Sequence, residues 1–358
     1  MLVPESDFYG RAAELLERGT PFVVCRITSA VGSVPRNPGA QLLVFPDGKI
    51  EFTLGGGAIE ARVIREAVLS FEHERAFVRQ YHLGDLGMHC GGLMSVAFER
   101  SCVADLPFYR QAQAWIASRT PFVAAYALAG TDQPLDKALL AQDERAFGPE
   151  PFVTSVREDV EQMGQAGALE TSHAFVHKIS PPLRLQVFGA GHVGARLARV
   201  ARATGIFRVE VVDDREAFAN AERLPFAHHI TVAKPDYAAN LPLPDERTFV
   251  AVITRCHATD KVVLQTLLGS GRPFAYLGMI GSVSKRARLF RLLQDEGVDR
   301  SLLDQVVSPM GLPIGGKDPG EIALSMLAEI VQRKNELDGT LEGSIVRWKN
   351  RQQLQTHA

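Results

Sequence analysis

In the second half of the chain, short apolar runs alternate with stretches of helical spacing. The runs fall at 185–188, 209–212, 229–232, 249–254 and 274–280. Residues 249–253 (FVAVI) are apolar throughout, as a strand covered on both faces requires. Residues 260–268 and 285–294 read as helices between them, and Asp318-Pro319-Gly320-Glu321 opens a further helix reaching about residue 332. There Asp318 can cap, Pro319 suits the first turn, and Glu321 sits where a reciprocal capping acid belongs. This alternation predicts a parallel sheet with helical crossovers.

The first half is less regular. It predicts a helix at 6–17, a strand at 22–27, strands at 41–45 and 49–54 joined by the hairpin signal Asp47-Gly48, and a helix at 58–69. Strands at 77–83 and 93–99 follow, then a helix near 109–118 and a strand running to Leu128. Residues 130–167 are polar and irregular, with a helix near 155–163, and 174–179 is the last strand of this half. The stretch at 18–27 (RGTPFVVCRI) is echoed at 119–128 (RTPFVAAYAL). Duplication and chance explain so short a match equally well. The fold class expected is therefore an N-terminal α/β (or α+β) domain, 1–180, followed by a Rossmann-like doubly wound domain, 181–335. Residues 336–358 would be a tail or a terminal helix. Ser180-Pro181-Pro182 marks the boundary.

The most specific stretch is LQVFGAGHVGARLARVARATGIFRVEVVDD, residues 185–214. It reads strand, glycine-rich turn, helix, strand, acid. Gly189 permits the tight turn, Gly191 lets a phosphate reach the backbone, and Gly194 lets helix and strand pack closely. His192 opens the helix, whose N-terminus presents unpaired N–H groups to an anion. Asp213, 19 residues after Gly194, stands where a ribose-binding acid belongs. That role holds only if a nucleotide occupies the turn.

Composition narrows the classes. With 358 residues the chain is long enough for about two or three domains. A net charge of −2 suggests neither nucleic acid nor an acidic membrane surface as partner. No apolar run approaches the roughly 20 residues that span a bilayer, and MLVPESDFYG does not read as a signal peptide. Four scattered cysteines without a CxxC fit a reducing, cytoplasmic setting.

Other loops also carry candidate chemistry. Arg36 and Gly39 lie in the loop at 32–39, and Gly55-Gly56-Gly57 opens a helix as a second potential anion site. His89-Cys90-Gly91-Gly92 frames a thiol with glycine, and Cys90 reads either as a soft-metal or sulfur-carrying group or as an inert buried residue. Cys25 and Cys102 read as packing residues. Cys256, His257 and Asp260, in TRCHATD at 254–260, form either a metal or acid–base group or a helix cap. There is no GxSxG elbow, Walker lysine or HExxH. His257 is the obvious proton-relaying group for an NAD(P)-dependent oxidoreductase, one competing class. A scaffold with a vestigial Rossmann unit is another.

These motifs resemble the xanthine dehydrogenase accessory family (XdhC/CoxI) along nearly the whole chain. The resemblance rests on GSVPRNPGA (32–40), GGGAIE (55–60), CGG (90–92), FGAGHVG (188–194) and VVDDR (211–215). It continues through HATD (257–260), YLGMIGS (276–282) and SPMGLPIGGKDPGEIALSMLAEI (308–330). The family's usual His-Asp-His reads Arg255-Cys256-His257 here, which puts Arg255 and Cys256 in doubt as functional positions. The resemblance implies a maturation factor rather than an enzyme: a chaperone that binds the molybdenum cofactor (molybdopterin), supports its sulfuration with a cysteine desulfurase as donor, and delivers it to a molybdenum hydroxylase such as xanthine dehydrogenase. It further implies a cytoplasmic homo-oligomer, such as a homodimer. The glycine loops, Asp213, His257 and Asp260 are then expected around the cofactor, with Cys90 either contacting the molybdenum centre or holding the transferred sulfur.

Overall fold

The computed structural model describes residues 7–72, 76–89, 91–128, 135–164, 166–233, 237 and 239–337. Cys90 and the expected tail from residue 338 onward lie outside them. The chain divides into two compact units, 1–182 and 183–358.

In the first unit α1 (Phe8–Glu17) leads into β1 (Val23–Val31), β2 (Gln41–Val44) and β3 (Ile50–Phe52). Then come α2 (Gly57–Ser70), β4 (Ala76–His82) and β5 (Leu93–Arg100). The same series repeats as α3 (Leu106–Ala117), β6 (Phe122–Ala127), β7 (Lys137–Ala141), β8 (Ala146–Phe147), α4 (Glu150–Ser155), α5 (Arg157–Met163), β9 (Ala168–Glu170) and β10 (Ala174–Ile179). The two sheets have the same strand order, β3-β2-β1-β5-β4 and β8-β7-β6-β10-β9. All their pairings are antiparallel, so this unit takes the α+β alternative.

The echo in the sequence is thus the opening of a duplicated unit. Even the helix endings correspond. After α1, Thr20 N–H donates to Leu15 O and Gly19 N–H to Leu16 O; after α3, Thr120 N–H donates to Trp115 O and Arg119 N–H to Ile116 O. Both close as the same C-terminal motif, which needs a left-handed residue. Gly19 supplies it at φ 65°, and Arg119 is forced into it at φ 61°.

α1 and α3 lie between the two sheets, burying Phe8, Leu15, Phe108 and Trp115 against Val24 and Leu43 of one and Phe122, Leu139 and Phe175 of the other. α2 covers the outer face of the first sheet through Ile59, Val63 and Ala67. α4 and α5 cover the second through Phe152, Val153 and Met163. Charge is also buried here: Lys137 reaches Glu99 of β5 and, at 2.7 Å, Asp105 before α3.

The second unit alternates β11 (Leu183–Phe188), α6 (His192–Thr204), β12 (Phe207–Asp213), β13 (His229–Val232), β14 (Thr248–Val252), α7 (His257–Gly269), β15 (Tyr276–Met279), α8 (Val283–Asp295), α9 (Arg300–Leu303), β16 (Val306–Val307) and α10 (Pro319–Leu337). Its sheet is parallel, in the order β13-β12-β11-β14-β15-β16. That is the Rossmann order, with the switch point between β11 and β14. α6 and α10 cover one face through Leu197, Ala201, Met326 and Ile330, and α7 and α8 the other through Val263, Leu267, Leu289 and Leu293. α10 begins as its sequence predicts: Asp318 accepts from Gly320 N–H at 2.7 Å, and Glu321 reaches back to Asp318 N–H at 3.1 Å. Among the described residues, no helix is long and apolar enough to cross a membrane.

Candidate functional site

At the carboxyl end of the parallel sheet each turn glycine has a distinct reason. A Cβ on Gly189 would stand 2.1 Å from Ile253 O, and the residue holds φ 113°. A Cβ on Gly194 would stand 1.9 Å from Gly189 O. Gly191, capping α6 with ordinary backbone angles, has nothing within 4 Å. The outer two glycines are therefore demanded by packing, and the middle one leaves a gap at a helix N-terminus where an anion can approach. His192, the first residue of α6, is exposed beside it.

Asp213 is fully buried and its carboxylate is engaged within the protein. Oδ2 accepts from Ala190 N–H at 2.7 Å and from Arg215 Nη2 at 2.9 Å, and Oδ1 accepts from Arg215 N–H and Nε. Burial alone would raise this carboxyl, but the bonds from Arg215 and Ala190 outweigh it and hold it below the usual carboxylate range. The expected ribose clamp is instead the brace of the glycine turn. Arg215 in turn stacks on Phe218 at 3.7 Å. Next along the chain, Asp214 Oδ2 accepts from Arg255 Nη1.

In the TRCHATD loop α7 already begins at His257, so neither Thr259 nor Asp260 starts the helix. Asp260 Oδ1 accepts from Thr254 N–H at 3.2 Å and Thr254 Oγ1 at 2.6 Å, closing the entry to α7. Burial pushes the Asp260 carboxyl up, against those bonds. His257 Nδ1 stays 3.8 Å from Asp260 Oδ2, beyond a hydrogen bond, and its side chain is half exposed. Among the described residues, no group of three His, Cys, Asp or Glu side chains could hold a metal ion.

In the first unit three loops converge. Gly92 N–H donates to Ser33 O at 3.1 Å, and a Cβ on Gly92 would meet that oxygen at 2.5 Å. Gly55 lies under Pro35 and the stem of Arg36, and Gly57 faces Met88. Arg36, Gly55, Gly57, Gly91 and Gly92 therefore belong to one cluster, with Gly91 exposed. The triple glycine is not an open anion site, however. Glu60 folds back from the first turn of α2, and its Oε2 accepts from Leu54 N–H at 2.8 Å, Gly56 N–H at 3.2 Å and Thr53 Oγ1 at 2.6 Å. A carboxylate of the same chain already meets that need. Gly39 is apart from the cluster: a Cβ there would stand 2.3 Å from Nε2 of His177 on β10, and with φ 97° this explains the glycine. Burial, with Arg26 nearby, pushes His177 down to about 4, which keeps it neutral.

Residues 185–330 match the XdhC Rossmann domain and residues 15–82 the XdhC and CoxI family, together more than half of the chain. The chain belongs to the XdhC/CoxI family. Over 340 residues, this XdhC/CoxI chain is 24% identical to a probable xanthine dehydrogenase subunit of Bacillus subtilis (strain 168), covering 92% of itself and 98% of that protein. It is 25% identical over 341 residues to the molybdenum cofactor insertion chaperone PaoD of Escherichia coli (strain K12), covering 93% and 90%. The uncharacterized protein YqeB of the same organism is 27% identical over 342 residues; the match takes 94% of this chain but only 48% of YqeB, so the chain spans about half the length of that relative. A crystal structure described as a xanthine dehydrogenase from Bacillus halodurans superposes with a TM-score of 0.72 at 26% identity, over 91% of this chain and 96% of that one.

One thiol in this XdhC/CoxI chain has surroundings that its place in the motif does not show. Cys256 is exposed and immediately precedes α7. Its hydrogen bonds with the Thr259 hydroxyl and backbone N–H pull the thiol below its ordinary range. Iodoacetamide labelling that disappears in Cys256→Ser should therefore reach half its maximal rate at a lower pH than labelling of an unstructured cysteine peptide under the same conditions. A midpoint equal to or above that of the peptide would contradict the assignment.

Proposed function

We propose that this chain is an accessory protein that binds the molybdenum cofactor as cargo and hands it to a molybdenum hydroxylase of the xanthine dehydrogenase type. The observation that carries the reading is the combination at the Rossmann turn. Gly191 is open before the thirteen-residue helix α6, while Asp213 is already engaged by Arg215 and Ala190. The turn retains what a phosphate needs and lacks the acid that would hold a ribose. A phosphate-bearing pterin suits such a site better than NAD(P) does. The likeness to PaoD, a molybdenum cofactor insertion chaperone, supports the same cargo. The finer part of the proposal is that sulfuration is supported on this chain, with a cysteine desulfurase as donor and Cys90 as the thiol involved.

The test is to incubate the purified chain in turn with molybdenum cofactor, NADH and NADPH, and to measure retained metal and nicotinamide. Retained molybdenum is expected, reduced about tenfold or more in Gly191→Asp, whose side chain fills the gap with a like charge. Retained nicotinamide without molybdenum would favour an oxidoreductase instead. The sulfuration step fails if Cys90→Ala receives and transfers sulfurated cofactor as the parent chain does.

A further inference from the structure

Asp214 follows β12 and Arg255 lies beyond β14, with β11 between those strands in the sheet. Strands lie about 4.8 Å apart, so an ion pair joining the two outer ones must cross the end of the middle one. The end of β11 is the glycine turn. It is flanked on one side by Asp213, which takes the Ala190 N–H, and on the other by Ile253 and Thr254, which abut Gly189. The Arg255–Asp214 pair therefore straps the turn across which a phosphate would seat.

We propose that Arg255 is a ligand-binding residue of this turn, held by Asp214 when the turn is empty and transferred to a phosphate or pyrophosphate group when one binds. The proposal rests on reading the turn as a phosphate site, and it adds the residue that recognises the anion. Three features support the transfer. The Arg255 side chain is 36% exposed and that of Asp214 only 6%, so the guanidinium covers the carboxylate and is what an incoming anion meets first. The planar guanidinium matches a phosphate bidentately. Asp214 is also not stranded when Arg255 leaves, because Arg215 Nε already lies 3.8 Å from its Oδ1. That oxygen is buried and accepts no hydrogen bond in the strapped state, so the pair does not satisfy Asp214 fully. Two further described acids at this end of the sheet, Asp213 and Asp260, are held by their own loops.

The experiment titrates inorganic pyrophosphate into the full chain and its Asp214→Asn, Arg255→Ala and doubly substituted forms, with binding read by calorimetry. Arg255→Ala should bind about tenfold more weakly and Asp214→Asn about fivefold more tightly. The double form should match Arg255→Ala, because releasing a side chain that is absent gains nothing. Arg255→Lys, which keeps the charge without the fork, should recover part of the affinity; a fold lost with the strap would not recover. If Asp214→Asn tightens binding equally when Arg255 is absent, the effect is relief of general repulsion and the proposal fails. It also fails if Arg255→Ala binds as the parent does, or if none of the chains binds pyrophosphate. Retained molybdenum, measured on the same samples, separates this from the functional reading. Cofactor held without any dependence on Arg255 overturns the strap alone. Arg255-dependent pyrophosphate binding without retained cofactor overturns the cargo assignment alone.

Discussion

Gly189→Ala should destabilise the Rossmann unit by about 3 kcal/mol or more, while Gly191→Ala, two residues on, costs about 1 kcal/mol or less. The added methyl at 189 meets a backbone carbonyl at 2.1 Å, and φ 113° is a conformation that an L-residue rarely adopts. Neither fault is cured by moving a side chain, because Ile253 O is backbone directly after a central strand, tied by Ile253 N–H to Phe188 O at 2.8 Å. At 191 the methyl points into open space from ordinary backbone angles, and the cost is only that of a poorer helix cap. Urea unfolding of both variants checks the contrast. Equal midpoints would mean that the turn yields, and that its glycines are there for the ligand rather than for packing. Binding should show the reverse order, since only position 191 faces the gap.

Replacing Lys137 with Met should cost about 3–5 kcal/mol in the first unit. The side chains of Lys137, Glu99 and Asp105 are 3%, 7% and 6% exposed, and the ammonium is shared between the two carboxylates. Burial pulls Lys137 down, but the two acids outweigh it and keep the amine charged. Removing it leaves two like charges facing each other away from water. The prediction has a built-in control. Adding Glu99→Gln and Asp105→Asn to Lys137→Met should recover much of the loss, because the penalty lies in the uncompensated charges rather than in lost packing. Urea midpoints of the parent, the single and the triple variant measure this. A triple variant no more stable than Lys137→Met would assign the cost to shape instead. The three residues come from β5, the turn before α3, and β7, so the cluster joins one repeat of the duplicated unit to the other.

The parallel sheet is legible in the sequence because its central strands are buried on both faces and therefore read as unbroken apolar runs, such as 249–253. The hairpin of β7 and β8 is hidden within a stretch that reads as irregular. Its turn, Asp143-Glu144-Arg145, contains no Gly or Pro, and the left-handed position falls on Glu144 at φ 68°. Two further strands that the pattern does not reveal, β9 and β16, have three residues and two, too few to show a period. Duplication is visible only where the helix ending imposes the same turn, at Thr-Pro-Phe-Val. At the site, spacing identifies which residues gather around the Rossmann turn but not what each one holds. Asp213 stands where a ribose acid stands, yet Arg215, two residues on, takes it. Glu60 looks like an ordinary helix residue, yet it fills the anion position of the triple glycine. The Asp214–Arg255 pair joins residues 41 apart, a separation that no local pattern encodes.

The brace between Asp213 and Ala190 has a consequence for turnover. A cradle shaped by its own ligand must be re-formed after every release, and the ordering cost returns each time. Here the turn is held from within at 2.7 Å by a carboxylate of the same chain. If the turn takes a phosphate-bearing cargo as proposed, loading and emptying would exchange only the anion and its nearest cation, and the emptied form would at once be ready to be refilled.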